Sequence, residues 1–273
     1  MDFTPATFSV GSLSKATFNQ GGAESTPTVK HGNLPVIGIS MNYMKLGSYH
    51  QFHVRDRYID AVTESGGLPL PIPCTGDPDL IDQYFDLIDA LIIIGGQDYP
   101  PHLFGQEPHP TIDLTHPRRV ASDLGFFTAV LNRGIPCLGI CAGMQLMNIA
   151  TGGQLIQHIS PEAGERNGIR PCLENHYGDV LHPITITGGK WLPRIFESDT
   201  ITVNSNHHQA LHPGHIGQGF RVVATAPDGI IEAIEYDTPQ FVLGIQWHPE
   251  RLTDYRQRKT IFGLLIQQAI QSR

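Results

Sequence analysis

Short apolar runs alternate with amphipathic segments along the first half of the chain. Residues 34–40, 90–96 and 135–140 are continuous apolar runs, which predict strands buried in a core. Segments with apolar residues at helical spacing lie between and after these runs, at 56–67, 78–89, 121–134 and 142–151. Because strand and helix alternate in succession, we expect an α/β fold, with a doubly wound, mostly parallel sheet and helices on both of its faces.

The two ends of the chain follow other patterns. Residues 1–33 are rich in Ser, Thr, Gly and Ala without a sustained period, and we interpret them as a flexible N-terminal extension. We expect one domain to occupy residues 34–273. Within that domain, the pattern at 180–247 indicates short strands and turns, and the pattern at 254–270 indicates a final helix.

Charge and hydropathy argue against several classes of protein. The 273-residue chain has a formal net charge of −8 and no basic run, which disfavours binding to nucleic acid. No apolar stretch approaches the roughly 20 residues that a membrane span needs. The N-terminus also lacks the basic start and apolar core of a secretory signal.

The cysteine pattern indicates the redox compartment. The four cysteines, at positions 74, 137, 141 and 172, include no CxxC pair and do not form a disulfide framework in a chain of this length. Such usage is typical of a reducing environment, so we expect a cytoplasmic protein. A regulatory disulfide between the neighbouring Cys137 and Cys141 stays open as an alternative.

One cysteine stands in a motif that favours nucleophilic chemistry. Gly139-Ile140-Cys141-Ala142-Gly143 follows an apolar strand and opens a periodic helix, as in the G-x-S-x-G nucleophile elbow with a thiol in place of the hydroxyl. A thiolate there is stabilised by the helix dipole and by free backbone N–H groups. The alternative interpretation is a buried structural cysteine. The predicted partners of Cys141 favour the functional interpretation.

A base and an orienting carboxylate follow a late apolar strand. His248 and Glu250 are two residues apart, so an extended segment can present both side chains on one side. Glu250 can then accept a hydrogen bond from one ring nitrogen of His248, while the other ring nitrogen faces Cys141. The N–H groups of Ala142 and Gly96 are candidate oxyanion donors. A plain Gly-Gly turn is the alternative for Gly95-Gly96.

These residues resemble a known family. Gly139–Gln145 together with Trp247-His-Pro-Glu250 resembles the class I glutamine amidotransferases. Five further segments are similar to the γ-glutamyl-γ-aminobutyrate hydrolase branch, the peptidase C26 type: IIIGGQDYPPHLFG (92–105), ATGGQLIQH (150–158), VNSNHHQA (203–210), APDGIIEAIE (226–235) and VLGIQWHPE (242–250). The resemblance covers roughly residues 34–270, nearly the whole chain outside the extension.

The resemblance implies a flavodoxin-like hydrolase domain that forms a γ-glutamyl thioester on Cys141 and releases glutamate and an amine. It also implies a role in polyamine or related nitrogen catabolism and no cofactor. The expected binding partner is a small γ-glutamyl substrate. The resemblance also leaves a homo-oligomer open. By the same resemblance, five side chains would surround the glutamyl group: Gln145, Asn204, Ser205, His207 and Gln209.

Two positions depart from the pattern of this branch. Ala142 stands where many members carry Arg, and Arg119-Val120 stands where Arg-Asp is often found. Neither position belongs to the Cys–His–Glu set. The departures therefore bear on the assignment of the substrate and not on the expected chemistry.

A metal site is not expected. His102, His109 and His116 recur at a regular spacing in a Pro-rich loop, which suits neither a zinc ribbon nor a helical histidine pair.

Two other functions compete with a stand-alone γ-glutamyl amide hydrolase. One is the glutaminase subunit of an amidotransferase, which would deliver ammonia to a synthase partner. The other is a catalytically inactive binding module, against which the intact set of Cys141, His248 and Glu250 argues.

Overall fold

The computed structural model describes residues 34–159, 180–252 and 255–273, which belong to one compact unit, Leu34–Arg273. The predicted extension at 1–33 and Cys172 lie outside the described residues. Across the described ranges, no helix has both the length and the apolar character needed to cross a membrane.

The first half of the domain alternates strands and helices, with one added hairpin. In chain order its elements are β1 (Val36–Ser40), β2 (Asn42–Leu46), β3 (Tyr49–His53), α1 (Asp56–Glu64), β4 (Leu68–Ile72), α2 (Pro78–Phe85), β5 (Ala90–Ile93), α3 (Pro117–Arg133), β6 (Cys137–Ile140) and α4 (Ala142–Ala150). All the helices predicted here are present. Helix α3 begins earlier than expected because Pro117 occupies its first turn and the His116 side chain accepts a hydrogen bond from the Arg118 N–H.

The second half consists mainly of strands, as the sequence pattern indicated. Its elements are β7 (Leu155–Ile156), β8 (Val180–Ile186), β9 (Thr200–Ser205), β10 (Ala210–Leu211), β11 (Phe220–Thr225), β12 (Ile231–Tyr236), β13 (Val242–Ile245) and the closing helix α5 (Tyr255–Gln271).

A nine-stranded sheet joins the two halves in the order β4-β1-β5-β6-β13-β12-β11-β8-β9. The first five strands in this order, β4-β1-β5-β6-β13, are parallel. The other four extend the sheet by antiparallel pairing. Residues of α1 and α5 belong to one buried cluster, and residues of α2, α3 and α4 belong to a second. The predicted doubly wound α/β class is therefore confirmed.

The topology brings the ends of three neighbouring parallel strands together. Strands β5, β6 and β13 are adjacent, and the segments that follow them carry Gly95-Gly96, Cys141 and His248. In sheets of this kind, ligands bind outside the carboxyl ends of the strands. The fold thus places the candidate catalytic residues at one edge of the sheet.

Candidate active site

Cys141 occupies a strained turn between β6 and α4. Its φ of 52° and ψ of −109° make it the single non-glycine residue with positive φ in the described part of the chain. A side chain held in this sparsely populated region is typical of a nucleophile elbow. A β-carbon on Gly143 would lie 2.1 Å from the Ile93 carbonyl oxygen, so only glycine permits this approach of α4 to β5.

The pairing of β6 with β13 fixes what lies beside the thiol. Ile140 is in register with Ile245, and the Cys141 N–H donates to the Ile245 carbonyl oxygen at 2.8 Å. The next residue of that segment, Gln246, places its Nε2 donor 3.5 Å from Cys141 Sγ. Sequence reasoning did not assign Gln246 to the site, although its place directly after β13 was the available signal.

His248 and Glu250 form a buried hydrogen-bonded pair. The distance from His248 Nδ1 to Glu250 Oε1 is 2.7 Å. The intervening chain does not stay extended as expected, since Pro249–Arg251 forms a 3-10 turn that returns the carboxylate to the ring. Burial opposes the charged ring, but Glu250 and Cys141 outweigh burial and raise the pKa of His248 to about 10. The pair therefore favours an imidazolium next to Cys141.

Gly95 lies against both the nucleophile and the base. A β-carbon at this position would lie 3.0 Å from His248 Cε1 and 3.4 Å from Cys141 Cβ. The Gly95 N–H donates to Tyr58 Oη at 3.3 Å. Burial and the neighbouring Glu250 carboxylate raise the pKa of Tyr58 well above its usual value, so its hydroxyl stays neutral.

The two predicted oxyanion donors have no competing acceptor within the described ranges. The N–H groups of Gly96 and Ala142 donate to no residue there, whereas the Gly95 N–H is held by Tyr58. Their role as oxyanion donors stays a prediction. The structure adds that Gly95, and not Gly96, makes the close contact with the catalytic side chains.

A buried arginine holds the loop that carries these glycines. Arg119 donates through Nη2 to the Ile94 carbonyl oxygen at 2.8 Å, and its Nη1 bonds Asn42 Oδ1. Its Nε binds Asp123 Oδ2 at 2.9 Å. The acidic partner of Arg119 is thus four residues along α3 and not the next residue, Val120. An i,i+4 spacing on a helix was the sequence signal for this pair.

The five residues assigned to the glutamyl group are buried around the same site. Gln145 Nε2 lies 3.2 Å from Gln246 Oε1 and also donates to the Gln209 carbonyl oxygen at 3.3 Å. Asn204 Oδ1 accepts from the His248 N–H at 3.0 Å. His207 Nδ1 donates to the Gln209 carbonyl oxygen at 2.8 Å, and Ser205 is fully buried at the end of β9. None of the five is among the residues that line the cavity at Cys141, and their contact with substrate stays a prediction.

A cavity of about 400 Å³ opens onto the nucleophile, and we call it the catalytic cavity. Besides Cys141 and His248, it is lined by Asn42, Met44, His53, Arg55, Tyr58, Gly95, Gly96, Gln97, Asp98, Asp113, Asn206, His208 and Arg251. His208 Nε2 lies 2.8 Å from Asp98 Oδ1, which joins two walls of the cavity. No local pattern pointed to this pair, because its members are far apart in sequence.

The regularly spaced histidines have separate structural surroundings. His109 stacks on His158 with ring centroids 5.2 Å apart, and His116 caps α3. Among the residues that the structure describes, no group of His, Cys, Asp and Glu side chains could hold a metal ion. That the protein needs no metal stays a prediction.

The match to known proteins covers most of the domain. The model of the peptidase C26 family matches residues 35–250. The chain belongs to the peptidase C26 family. This confirms the resemblance to the class I glutamine amidotransferase-like proteins and to their C26 branch, which was inferred from the motifs around Cys141 and His248.

Relatives in this family carry two kinds of name. The chain is 38% identical over 203 residues to a Mycobacterium tuberculosis protein named "Putative glutamine amidotransferase", a match that covers 72% of this chain and 62% of the relative. It is 31% identical to the gamma-glutamyl-gamma-aminobutyrate hydrolase PuuD of Escherichia coli, over 84% of this chain and 91% of the relative. The family and these relatives support a hydrolase that acts on carbon–nitrogen bonds.

A solved structure shares the fold of this C26 protein. The glutaminase domain of Trypanosoma brucei CTPS, solved with bound acivicin, superposes with a TM-score of 0.61 at 12% identity. The superposition covers 87% of this chain and 94% of that chain. At this identity the similarity concerns the fold alone.

Proposed function

We propose that this C26 protein hydrolyses γ-glutamyl amides through a thioester on Cys141. The observation that carries the proposal is the strained backbone of Cys141 next to the buried His248–Glu250 pair. A thiol presented to a cavity by a sharp turn, a base beside it and a carboxylate that orients the base are the three parts of a nucleophilic triad.

The first chemical step forms the thioester. The Cys141 thiolate attacks the amide carbonyl carbon, and the N–H groups of Gly96 and Ala142 bind the developing oxyanion. The imidazolium of His248 then donates its proton to the leaving nitrogen, and the carbon–nitrogen bond breaks. The amine leaves neutral, and the γ-glutamyl group remains on sulfur.

The second step regenerates the thiol. His248, now neutral, accepts a proton from a water molecule that attacks the thioester carbonyl, and the carbon–sulfur bond breaks. Glutamate departs and the thiolate–imidazolium pair is restored. Glu250 accepts from Nδ1 throughout, which fixes the tautomer and stabilises the positive ring in both steps.

The similarity to PuuD supports a γ-glutamyl amide as the substrate, and the similarity to a protein named as an amidotransferase supports glutamine as a competitor. The test is to incubate the purified protein alone with glutamine and with γ-glutamyl amides, and to measure released glutamate and amine. We expect turnover without a partner, with the γ-glutamyl amides faster than glutamine. Turnover of neither would contradict the proposal.

The same experiment separates the glutaminase alternative. A subunit that delivers ammonia to a synthase would cleave glutamine in preference to substituted γ-glutamyl amides, and the triad would be the same. A preference for glutamine would therefore favour the glutaminase subunit over the hydrolase of substituted γ-glutamyl amides.

A further inference from the structure

A second, less polar cavity adjoins the catalytic cavity. It has a volume of about 660 Å³. We call it the apolar groove and define it by six of its lining residues: Tyr43, Met44, Gln97, Pro100, Pro101 and Leu114. Met44 and Leu114 are 36% and 50% exposed there, although both side chains are apolar. Exposed apolar side chains that line a cavity are typical of a ligand-binding surface.

Three chain segments pass directly from the catalytic cavity into the apolar groove. Each segment lines the catalytic cavity with its earlier residues and the groove with its later ones: residues 42–45 on β2, 95–101 after β5 and 113–117 at the entry to α3. Met44 and Gln97 line both spaces. The groove is therefore continuous with the space around Cys141, on the side where the loop of Gly95-Gly96 ends.

Contacts between these segments hold the groove in place. The Asp98 N–H donates to the Asp113 carbonyl oxygen at 2.9 Å, and the Thr115 N–H donates to the Asp98 carbonyl oxygen at 2.8 Å. The guanidinium of Arg118 lies 5.0 Å from the Tyr43 ring and 4.9 Å from the Phe52 ring, which fastens the hairpin to α3. The groove is thus formed before any ligand arrives.

The two cavities differ in how many charged side chains line them. The catalytic cavity is lined by the cations Arg55 and Arg251 and by the carboxylates Asp98 and Asp113. The full lining of the groove has one Lys and one Glu, both exposed, together with two histidines, and most of its remaining area is apolar. Its prolines and aliphatic side chains offer little to a charged group, but they can exclude water from a hydrocarbon.

From this arrangement we propose that the apolar groove binds the substituent of the leaving amine, and that this substituent is an alkyl or aromatic group without charge. The proposal rests on the proposed function, because it assigns a place to the amine half of the γ-glutamyl amide. The glutamyl half, which carries charge, would lie in the catalytic cavity, which Arg55 and Arg251 line.

The test is a series of γ-glutamyl amides with the native protein. The amines are methylamine, butylamine, hexylamine and benzylamine, with putrescine and γ-aminobutyrate as charged members. We expect kcat/KM to rise by about threefold for each methylene that enters the groove, close to the transfer free energy of a partly buried CH₂. The hexylamide and benzylamide should exceed both charged members.

A double variant tests whether the groove causes the rise. Met44→Ser with Leu114→Ser should lower the ratio of hexylamide to methylamide kcat/KM at least threefold, and the ratio is insensitive to a loss of folded protein. The matched control is Leu46→Ser with Leu181→Ser, two leucines that are each 62% exposed and line neither cavity. The control should keep the native ratio.

The outcomes separate this proposal from the proposed function. A flat alkyl series, a ratio that the double variant leaves unchanged, or a preference for γ-glutamyl-γ-aminobutyrate or γ-glutamylputrescine would overturn the groove's role and leave the hydrolase in place. If no γ-glutamyl amide in the series is cleaved, the proposed function and the inference fall together.

Discussion

Cys141 and His248 face the same cavity, but different forces position them. The position of Cys141 is set by backbone geometry and packing, namely its positive φ and the close approach of α4 to β5 at Gly143. His248 is held by charge and hydrogen bonding, through the Glu250 carboxylate at 2.7 Å and Asn204 at 3.0 Å. The nucleophile side should therefore respond to added volume, and the base side to removed charge.

The strands that precede Cys141 and His248 also have different neighbours in the sheet. Cys141 follows β6, inside the alternating parallel half, whereas His248 follows β13, which connects that half to the antiparallel strands. The register of β6 with β13 is what joins them. A comparison of substitutions on the two sides can show whether shape and charge act separately.

Removal of the charge on the base side should have a larger effect than added volume on the nucleophile side. Glu250→Gln keeps the shape of the side chain but removes the charge that stabilises the imidazolium. We expect kcat to fall by about one to two orders of magnitude with little change in KM, because transition-state stabilisation is lost and binding is not. Steady-state kinetics of the variant measure this. If Glu250→Gln is kinetically silent while His248→Ala is inactive, the site is a Cys–His dyad.

Added volume on the loop of the nucleophile side should have a smaller effect. A β-carbon on Gly96 would lie 1.9 Å from Arg119 Nη1, so Gly96→Ala must displace the guanidinium or the loop. We expect kcat to fall about tenfold, less than the full loss of an oxyanion donor. Gly263→Ala is the control, since a β-carbon there meets nothing within 4 Å. Equal activity of the two variants would show that the loop position does not matter.

The charge on the base side should also appear in the dependence of stability on pH. The pKa of His248 is raised from 6.5 to about 10, so its contribution to stability is fully present below about 6.5 and is lost as the pH rises through 10. Denaturant unfolding between pH 6 and pH 10 should show a decline that His248→Gln lacks. Identical declines in the two proteins would mean that folding does not raise the pKa of His248.

Chelation should have the smallest effect, namely none. No ligand set of suitable spacing stands in the sequence, and the described residues hold no candidate cluster. Activity after dialysis against a chelator should equal that of the untreated protein. Loss of activity that zinc restores would overturn the prediction.

The parts of the site that depend on local geometry could be predicted from sequence. The elbow at Cys141 follows from a strand, two glycines and a helix that are adjacent in the chain. The hairpin of β2 and β3 was missed although Gly47-Ser48 between two apolar-aromatic strands is a recognised turn signal. It matters, because Met44 on this hairpin lines both cavities.

The parts that depend on distant pairing could not be predicted. His208 and Asp98 lie in the segments that follow β9 and β5, two strands that are not neighbours in the sheet, and the sequence contains no local sign of their contact. The antiparallel extension was visible only as short strands, since alternation of apolar residues does not specify which strands pair. Arg119 and Asp123 had the spacing of a helical pair, but their burial follows from the packing of α3 near β2.

The most direct test of the account is covalent labelling of the nucleophile. A γ-glutamyl chloromethyl ketone should add one adduct to the native protein, and peptide mass spectrometry should place it on Cys141. Cys74 and Cys137 should stay unlabelled, because burial raises the pKa of the Cys74 thiol to about 12 and that of Cys137 still further. Cys141→Ala should fold, take up no label and lack turnover. Labelling of another cysteine, with activity retained in Cys141→Ala, would contradict the account.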